Sequence, residues 1–568
     1  MKILLSSLFS PKSDGFNIYI FLPLQTIFYI IIWLLSQDKL IYTDEVVFAT
    51  DFVRVALGQW SSMEIPHPPL YVILGGVSTQ LFGHNLPAMR LVGGIGYLLT
   101  LWLIPLSCRC LIADPARARR ASLLATFAWA IHPLALQGSL LLDIDNTIFP
   151  PTLLLFALAL LLTESTSVWQ RVIYVGLTFA MMLWVKLLPS TFLFAIIVVV
   201  IYVIRRRFVF STLGALVLGL LIFVVSLLIF SLITGFPLEV VLGTFLRTQN
   251  AAQSPGRLLS RLIMGGGITA VWIGIPLLVI FGHIVFKRFM DILRNRQLHI
   301  QDLLILYVIV GFIIFTIGNE LPMGFPRYHY PLALILVIVA CAELARREEL
   351  FHRSKIIAAF ILSLCCIMYF AIFVPDPLLP HYELTFETKD LMTRLMFGLR
   401  SQVTALLIPL GASLVLYRVM TRKWAIVPPL VSFCAATWLV TTITQTHAEY
   451  STIYEYGRTG GWKVAELIQQ RTQLDERIVA PKEILWAAQR EGDFVVQLLV
   501  CPQCTAQSMI NHFSTTKPSV YVLTTKEDKR YTYITRDPQF VDMLKQCYDR
   551  PIVEGNYIVY FRNKSICN

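Results

Sequence analysis

Apolar runs long enough to cross a bilayer recur along most of this chain, and they exclude nearly every soluble fold. Residues 17–36 read NIYIFLPLQTIFYIIIWLLS and residues 208–233 read FVFSTLGALVLGLLIFVVSLLIFSLI. A helix needs about 20 such residues to span hydrocarbon. Runs of this kind are expected near 17–36, 86–112, 121–142, 146–163, 172–186, 188–204, 208–233, 262–286, 302–318, 330–345, 355–374, 402–418 and 424–443, about thirteen spans in all. Of 568 residues 56% are hydrophobic and 14% charged, where soluble domains carry about a quarter charged. The expected class is mainly α, with a polytopic helical membrane domain over residues 1–443.

The net charge of +12 would suit nucleic-acid binding if it formed one patch, but it gathers in alternate connectors. These are Arg117, Arg119 and Arg120; Arg205, Arg206 and Arg207; Lys287, Arg288, Arg294 and Arg296; Arg346, Arg347, Arg353 and Lys355; Arg418, Arg422 and Lys423. Basic connectors stay in the cytoplasm. The pattern therefore predicts a cytoplasmic amino terminus, an external first loop (37–86), an external carboxyl terminus and no nucleic-acid partner. The connector from Glu164 to Arg171 has a single Arg and breaks the trend. The first apolar run is too long for a signal-peptide core and no small-x-small cleavage site follows it, so it is expected to remain as a span.

The first external loop carries the densest chemistry. Asp44 and Glu45 lie just beyond the first span, where ionisable groups mark function or are merely solvated. Val47, Phe48, Phe52, Val55, Ala56 and Trp60 then recur at helical spacing, which predicts a helix in the membrane interface. Pro66, Pro68 and Pro69 stiffen the segment around His67.

Asp44-Glu45, His67-Pro68-Pro69-Leu70-Tyr71, Leu81-Phe82-Gly83 and Arg90 at the start of the second span, in that order, resemble the GT-C membrane glycosyltransferases. The likeness is to protein O-mannosyltransferases and to bacterial relatives such as lipid A aminoarabinose transferase. His67 departs from relatives that carry an acid or Lys before the prolines, so sugar and lipid preference do not carry over. The resemblance implies a GT-C fold, a catalytic first loop and a second essential acid in the next external loop, LLLDIDNTIFPP. That acid matches Asp145, with Asp143 as the alternative and a helix-capping role as the plain structural one. It also implies that Lys186, in MMLWVKLLPSTF, pairs with a lipid phosphate rather than reaching for the interface. Arg327-Tyr328 before Pro331 resembles the family's late Arg-Tyr motif. Arg257 and Arg261 are further anion-binding candidates, or contacts for acidic headgroups.

After residue 443 the composition becomes that of an ordinary soluble domain. Short Val/Ile/Tyr-rich runs at 477–480, 519–524 and 556–561 alternate with helix-like stretches at 462–471, 482–489 and 540–547, which predicts a small external α/β domain over 444–568. It holds Cys501, Cys504, Cys547 and Cys567, which suit disulfides in an oxidising compartment. Cys501 and Cys504 form half of a zinc motif without a second half.

The function implied is an inverting, mannosyltransferase-like transfer of a sugar from a polyprenyl-phosphate donor to a hydroxyl of an envelope acceptor, whether protein, lipid or glycan. The expected place is the outer face of the inner (plasma) membrane. Asp44 would be the general base, Glu45 and Asp145 would position acceptor and sugar, and Lys186, Arg327 and His67 would serve the departing phosphate. A divalent metal bridging some of these acids is compatible with that chemistry, although no ligand spacing demands one. The rival from another class is a secondary transporter or lipid flippase. Transporters keep their key charges at mid-membrane between repeated halves, whereas these collect on one face and no repeat is visible.

Overall fold

The computed structural model of the chain describes residues 18–41, 43–65, 67–187, 190–206, 208–241, 266–295, 298–299, 301–318, 327–347, 353–373, 407–447, 459–490, 492–495, 498, 504–524, 532–563 and 565–566. Contacts group these into two units, Met1–Gln37 with Asp51–Thr446, and Asp38–Thr50 with His447–Asn568.

The first unit is helical. Among the described residues six helices are long and apolar enough to cross a membrane: Leu86–Leu111, Val168–Val185, Val209–Thr234, Arg327–Leu344, Ser354–Phe373 and Val427–Thr446. Further expected spans appear as shorter apolar helices, among them Ile20–Leu35, Phe149–Leu162, Ser190–Arg205 and Gln301–Thr316.

Two expected spans differ from the structure in an instructive way. The one placed at 121–142 begins at Pro115, because Asp114 accepts the backbone N–H groups of Ala116 and Arg117 and the Pro at the first helical position has no N–H to lose. It then breaks into Pro115–Ile131 and Pro133–Leu140, bent by 55°. Pro133 cannot continue the ladder, and the His132 ring nitrogen restarts it by accepting the Leu134 N–H at 3.2 Å. The span placed at 262–286 is likewise interrupted, since Gly274 takes φ +97° between Gly266–Ile273 and Ile275–Asn295.

The second half of that bent pair leads into the 141–148 connector, which presses on the helix Leu86–Leu111. A Cβ at Gly93 would lie 2.3 Å from the Ser139 carbonyl oxygen, and one at Gly96 would lie 2.2 Å from that of Thr147. Only glycine allows this approach. Arg90, fully buried on the same helix, donates from Nε to the Leu140 carbonyl at 3.0 Å and from Nη1 to that of Gln37 at 3.0 Å. It thus ties the end of the first apolar helix to the entrance of the acidic connector. Arg90→Met is expected to leave these carbonyls buried without their donor, at about 1–3 kcal/mol each. A clear fall in the thermal unfolding midpoint of purified protein, partly restored in Arg90→Lys, is the check.

The second unit holds a five-stranded sheet. Strands β1 (Ile478–Ala480), β2 (Gly492–Phe494), β3 (Val520–Thr524), β4 (Ile552–Glu554) and β5 (Tyr557–Phe561) run in the order β2-β1-β3-β5-β4. β1 pairs parallel with β2 and β3, and β5 pairs antiparallel with β3 and β4. Alternation decides the two faces. Ile478, Ala480, Val520, Val522 and Val559 meet Val464, Ile468, Ile484 and Leu40 on one side, while Val479, Tyr521 and Leu523 meet Met509, Phe513, Phe540 and Leu544 on the other. The expected strands at 477–480, 519–524 and 556–561 are β1, β3 and β5. The short β2 and β4, and the helix Ala506–Thr516, carry no comparable sequence signal.

Cys504 and Cys547 are each disulfide-bonded; Cys501 and Cys567 lie outside the described residues. Loss of a disulfide costs a small domain about 2–5 kcal/mol. Reductant is therefore expected to lower the unfolding midpoint of this unit. Alkylation without reduction should leave Cys504 and Cys547 unmodified by mass, and full modification of both would refute the bridges.

Candidate active site

Four charged side chains and one ring, from three distant parts of the sequence, meet in the first unit. Lys186 forms an ion pair with Asp145, their side chains only 2% and 3% exposed. Arg327 donates from Nη1 to Asp143 Oδ2 at 3.1 Å. Tyr328 lies between the two cations, its ring centre 4.6 Å from Lys186 Nζ and 5.2 Å from the Arg327 guanidinium carbon. The acidic connector is folded on itself, since Asp143 Oδ1 accepts the Asp145 backbone N–H at 3.0 Å and the Asp143 carbonyl accepts Thr147 Oγ1 at 2.6 Å. The two acids therefore point to separate cations.

Local sequence explains each position. The Val168–Val185 helix ends at Lys186, which is extended (φ −156°) and whose carbonyl accepts the Thr191 hydroxyl at the start of Ser190–Arg205. Arg327 and Tyr328 belong to a short 3-10 turn that leads into Tyr330–Leu344, with Pro331 early in that helix.

Electrostatically the four charges cancel, two cations against two carboxylates. His67 adds none. Burial, with Lys186 and Arg327 nearby and Asp143 opposing them, holds its imidazole pKa down to about 3 from the ordinary 6.5. The folded ring is therefore neutral at physiological pH, with one ring nitrogen a donor and the other an acceptor. Because the folded pKa is depressed, the stability that goes with this neutral ring is complete above about 6.5 and is lost as pH falls toward 3.

The segment leading to His67 is held by a residue that the sequence did not single out for chemistry. Asp51, fully buried, accepts the backbone N–H groups of Glu64 and Ile65, both at 3.0 Å, and the Arg54 guanidinium at 2.9 Å. Arg54 also reaches Glu64 at 2.9 Å. Its spacing as a polar residue on an otherwise apolar helical face was the available signal.

The fold of the chain is that of a protein of solved structure. It superposes on the crystal structure of ArnT from Cupriavidus metallidurans bound to undecaprenyl phosphate with a TM-score of 0.60 at 15% identity, over 96% of this chain and 99% of that one. The chain has the GT-C fold. The apo state of the same ArnT matches with a TM-score of 0.57 over the same shares, again at 15% identity. Residues 66–231 match the family model described as dolichyl-phosphate-mannose-protein mannosyltransferase. No curated protein matches by sequence. The matched stretch includes His67, Asp143, Asp145 and Lys186 and stops short of Arg327.

Within the GT-C fold the sequence-derived residues divide as follows. Asp143, Asp145, Lys186, Arg327 and Tyr328 converge, and His67 is in their field. Asp145 and its alternative Asp143 each hold a cation, Lys186 and Arg327 respectively. Asp44 and Glu45 lie on the helix Thr43–Ala56, as the apolar spacing predicted a helix there. Glu45 is buried, and the Asp44 side chain lies outside the described residues. Arg257 and Arg261 also lie outside them. Among the described residues no group of three or more His, Cys, Asp and Glu is placed to hold a metal ion.

Proposed function

We propose that this GT-C protein transfers a sugar from a polyprenyl-phosphate donor to a hydroxyl of an envelope acceptor on the outer face of the cytoplasmic membrane. The observation that carries it is the pairing of Lys186 and Arg327 around one aromatic ring, each cation matched by its own acid. Two cations so placed suit a phosphodiester, and their acids keep the site neutral until the anion arrives.

In this mechanism Lys186 and Arg327 take the donor phosphate and stabilise it as negative charge grows on its departing oxygen. His67, as a neutral ring, offers one N–H to the same group. Asp145 and Asp143 orient the two cations, and Asp145 also faces the sugar. Asp44 is assigned the proton of the acceptor hydroxyl, with Glu45 beside it in sequence placing the acceptor. Attack at the anomeric carbon from the side opposite the phosphate inverts its configuration. The external placement draws on the basic connectors and on the disulfides of the second unit.

The test is titration of purified protein with undecaprenyl phosphate and with the corresponding neutral alcohol. Saturable binding of the phosphate, undisturbed by excess alcohol, is expected. Equal binding of the two lipids would remove the basis of the assignment.

A further inference from the structure

Among the described residues the buried polar atoms without a partner include Asp145 Oδ1, the Tyr307 hydroxyl and Ser190 Oγ. A chain of contacts links the residues that carry them. Lys186 holds Asp145 through Oδ2, and its own carbonyl accepts the hydroxyl of Thr191, the neighbour of Ser190. Ser190 and Phe194 lie one helical turn apart on one face, and Phe194 meets the Tyr307 ring edge-on at 4.7 Å.

Packing alone does not call for these hydroxyls. Phe at 307 and Ala at 190 would pack in the same space without a buried polar atom to satisfy, and such an exchange is neutral or stabilising when no bond is lost. Tyr307 sits in an apolar run of its helix, LLILYVIVGF, where nothing about packing asks for a hydroxyl. A carboxylate oxygen accepts only, whereas Tyr and Ser hydroxyls both donate and accept. This combination matches a ring bearing several hydroxyls and does not match a hydrocarbon tail.

We propose that Tyr307, Ser190 and the unpaired oxygen of Asp145 form the subsite that holds the donor's sugar, beside the phosphate held by Lys186 and Arg327. The assignment rests on the donor proposed above and adds the residues that recognise its sugar. Asp145 then has two functions on two oxygens: Oδ2 orients Lys186 and Oδ1 takes a sugar hydroxyl. The phosphate and the sugar are thereby read by different side chains.

The experiment uses full-length purified protein and three probes: bare undecaprenyl phosphate, and the same lipid loaded with mannose or with a pentose. Wild type is expected to bind one loaded lipid more tightly than the bare one. Tyr307→Phe is expected to leave affinity for the bare lipid within about twofold and to weaken that loaded lipid by about 3- to 10-fold, the loss of one or two hydrogen bonds. Ser190→Ala should show the same split. Ligand-free Tyr307→Phe should unfold at or above the wild-type temperature, because its ring still packs on Phe194. Equal weakening of bare and loaded lipids, no weakening of either, or wild-type preference for the bare lipid would overturn the subsite alone. Failure of wild type to bind the bare lipid would instead overturn the donor assignment on which it rests.

Discussion

Lys186→Met is expected to abolish most of the activity and to weaken donor binding, because phosphate is charged in the ground state and more so as it departs. Removal of one preorganised charge from such a site costs about 10²–10³ in turnover. The same change leaves the Asp145 carboxylate buried without its cation, which costs about 3–5 kcal/mol of stability. A loss of activity alone would therefore not separate binding from folding. The double variant Lys186→Met with Asp145→Leu does separate them. It replaces the pair by apolar side chains, so the unfolding midpoint should recover, while affinity for undecaprenyl phosphate should stay low. Wild-type affinity in the folded double variant would show that the phosphate is held elsewhere.

Asp44→Asn is expected to fail in the opposite manner. The amide keeps the size of the side chain and loses its basicity, so turnover should fall by about 10²–10⁴, the usual range for a general base. Affinity for undecaprenyl phosphate should be unchanged, since no phosphate contact is assigned to Asp44. An ionised carboxylate base also gives a rate that declines on the acid side, and that limb should disappear in the variant. Near-normal turnover in Asp44→Asn together with its abolition in Asp143→Asn or Asp145→Asn would move the base to the second acidic connector.

Sequence alone disclosed the membrane class, because hydrocarbon demands long apolar helices and the chain supplies them repeatedly. It disclosed β1, β3 and β5 for a related reason: each is a run of Val, Ile or Tyr that fits a buried sheet. β2 is three residues long and begins with Gly492, so its sequence carries no periodicity to detect. The broken helix at His132–Pro133 was readable as a proline, yet the position of Pro133 within an apolar run concealed that the chain bends there.

For the site, the types and the order of the residues were legible but their pairing was not. Arg327 reaches Asp143 across 184 positions and Lys186 reaches Asp145 across 41, and no local pattern encodes such separations. Sequence offered Asp143 and Asp145 as alternatives and gave no sign that each holds its own cation, with the connector folded so that Asp143 Oδ1 accepts the Asp145 N–H. Arg90 was visible as a motif residue, while its hold on the carbonyls of Gln37 and Leu140 joins segments 53 and 50 positions away and has no local signature. Tyr307 and Ser190 gave no signal, since a Tyr or Ser within an apolar helix is ordinary in sequence and is informative only when its hydroxyl is seen without a partner.

Glycosyl transfer itself is tested most directly by following the donor. Purified protein is incubated with undecaprenyl phosphate carrying a labelled sugar and with an envelope extract rich in hydroxyl acceptors, and both lipid and sugar are quantified. The account predicts release of bare undecaprenyl phosphate in step with label appearing on an acceptor, lost in Lys186→Met and in Asp44→Asn. Donor that remains intact while label crosses the bilayer of sealed proteoliposomes would contradict it and make the protein a transporter.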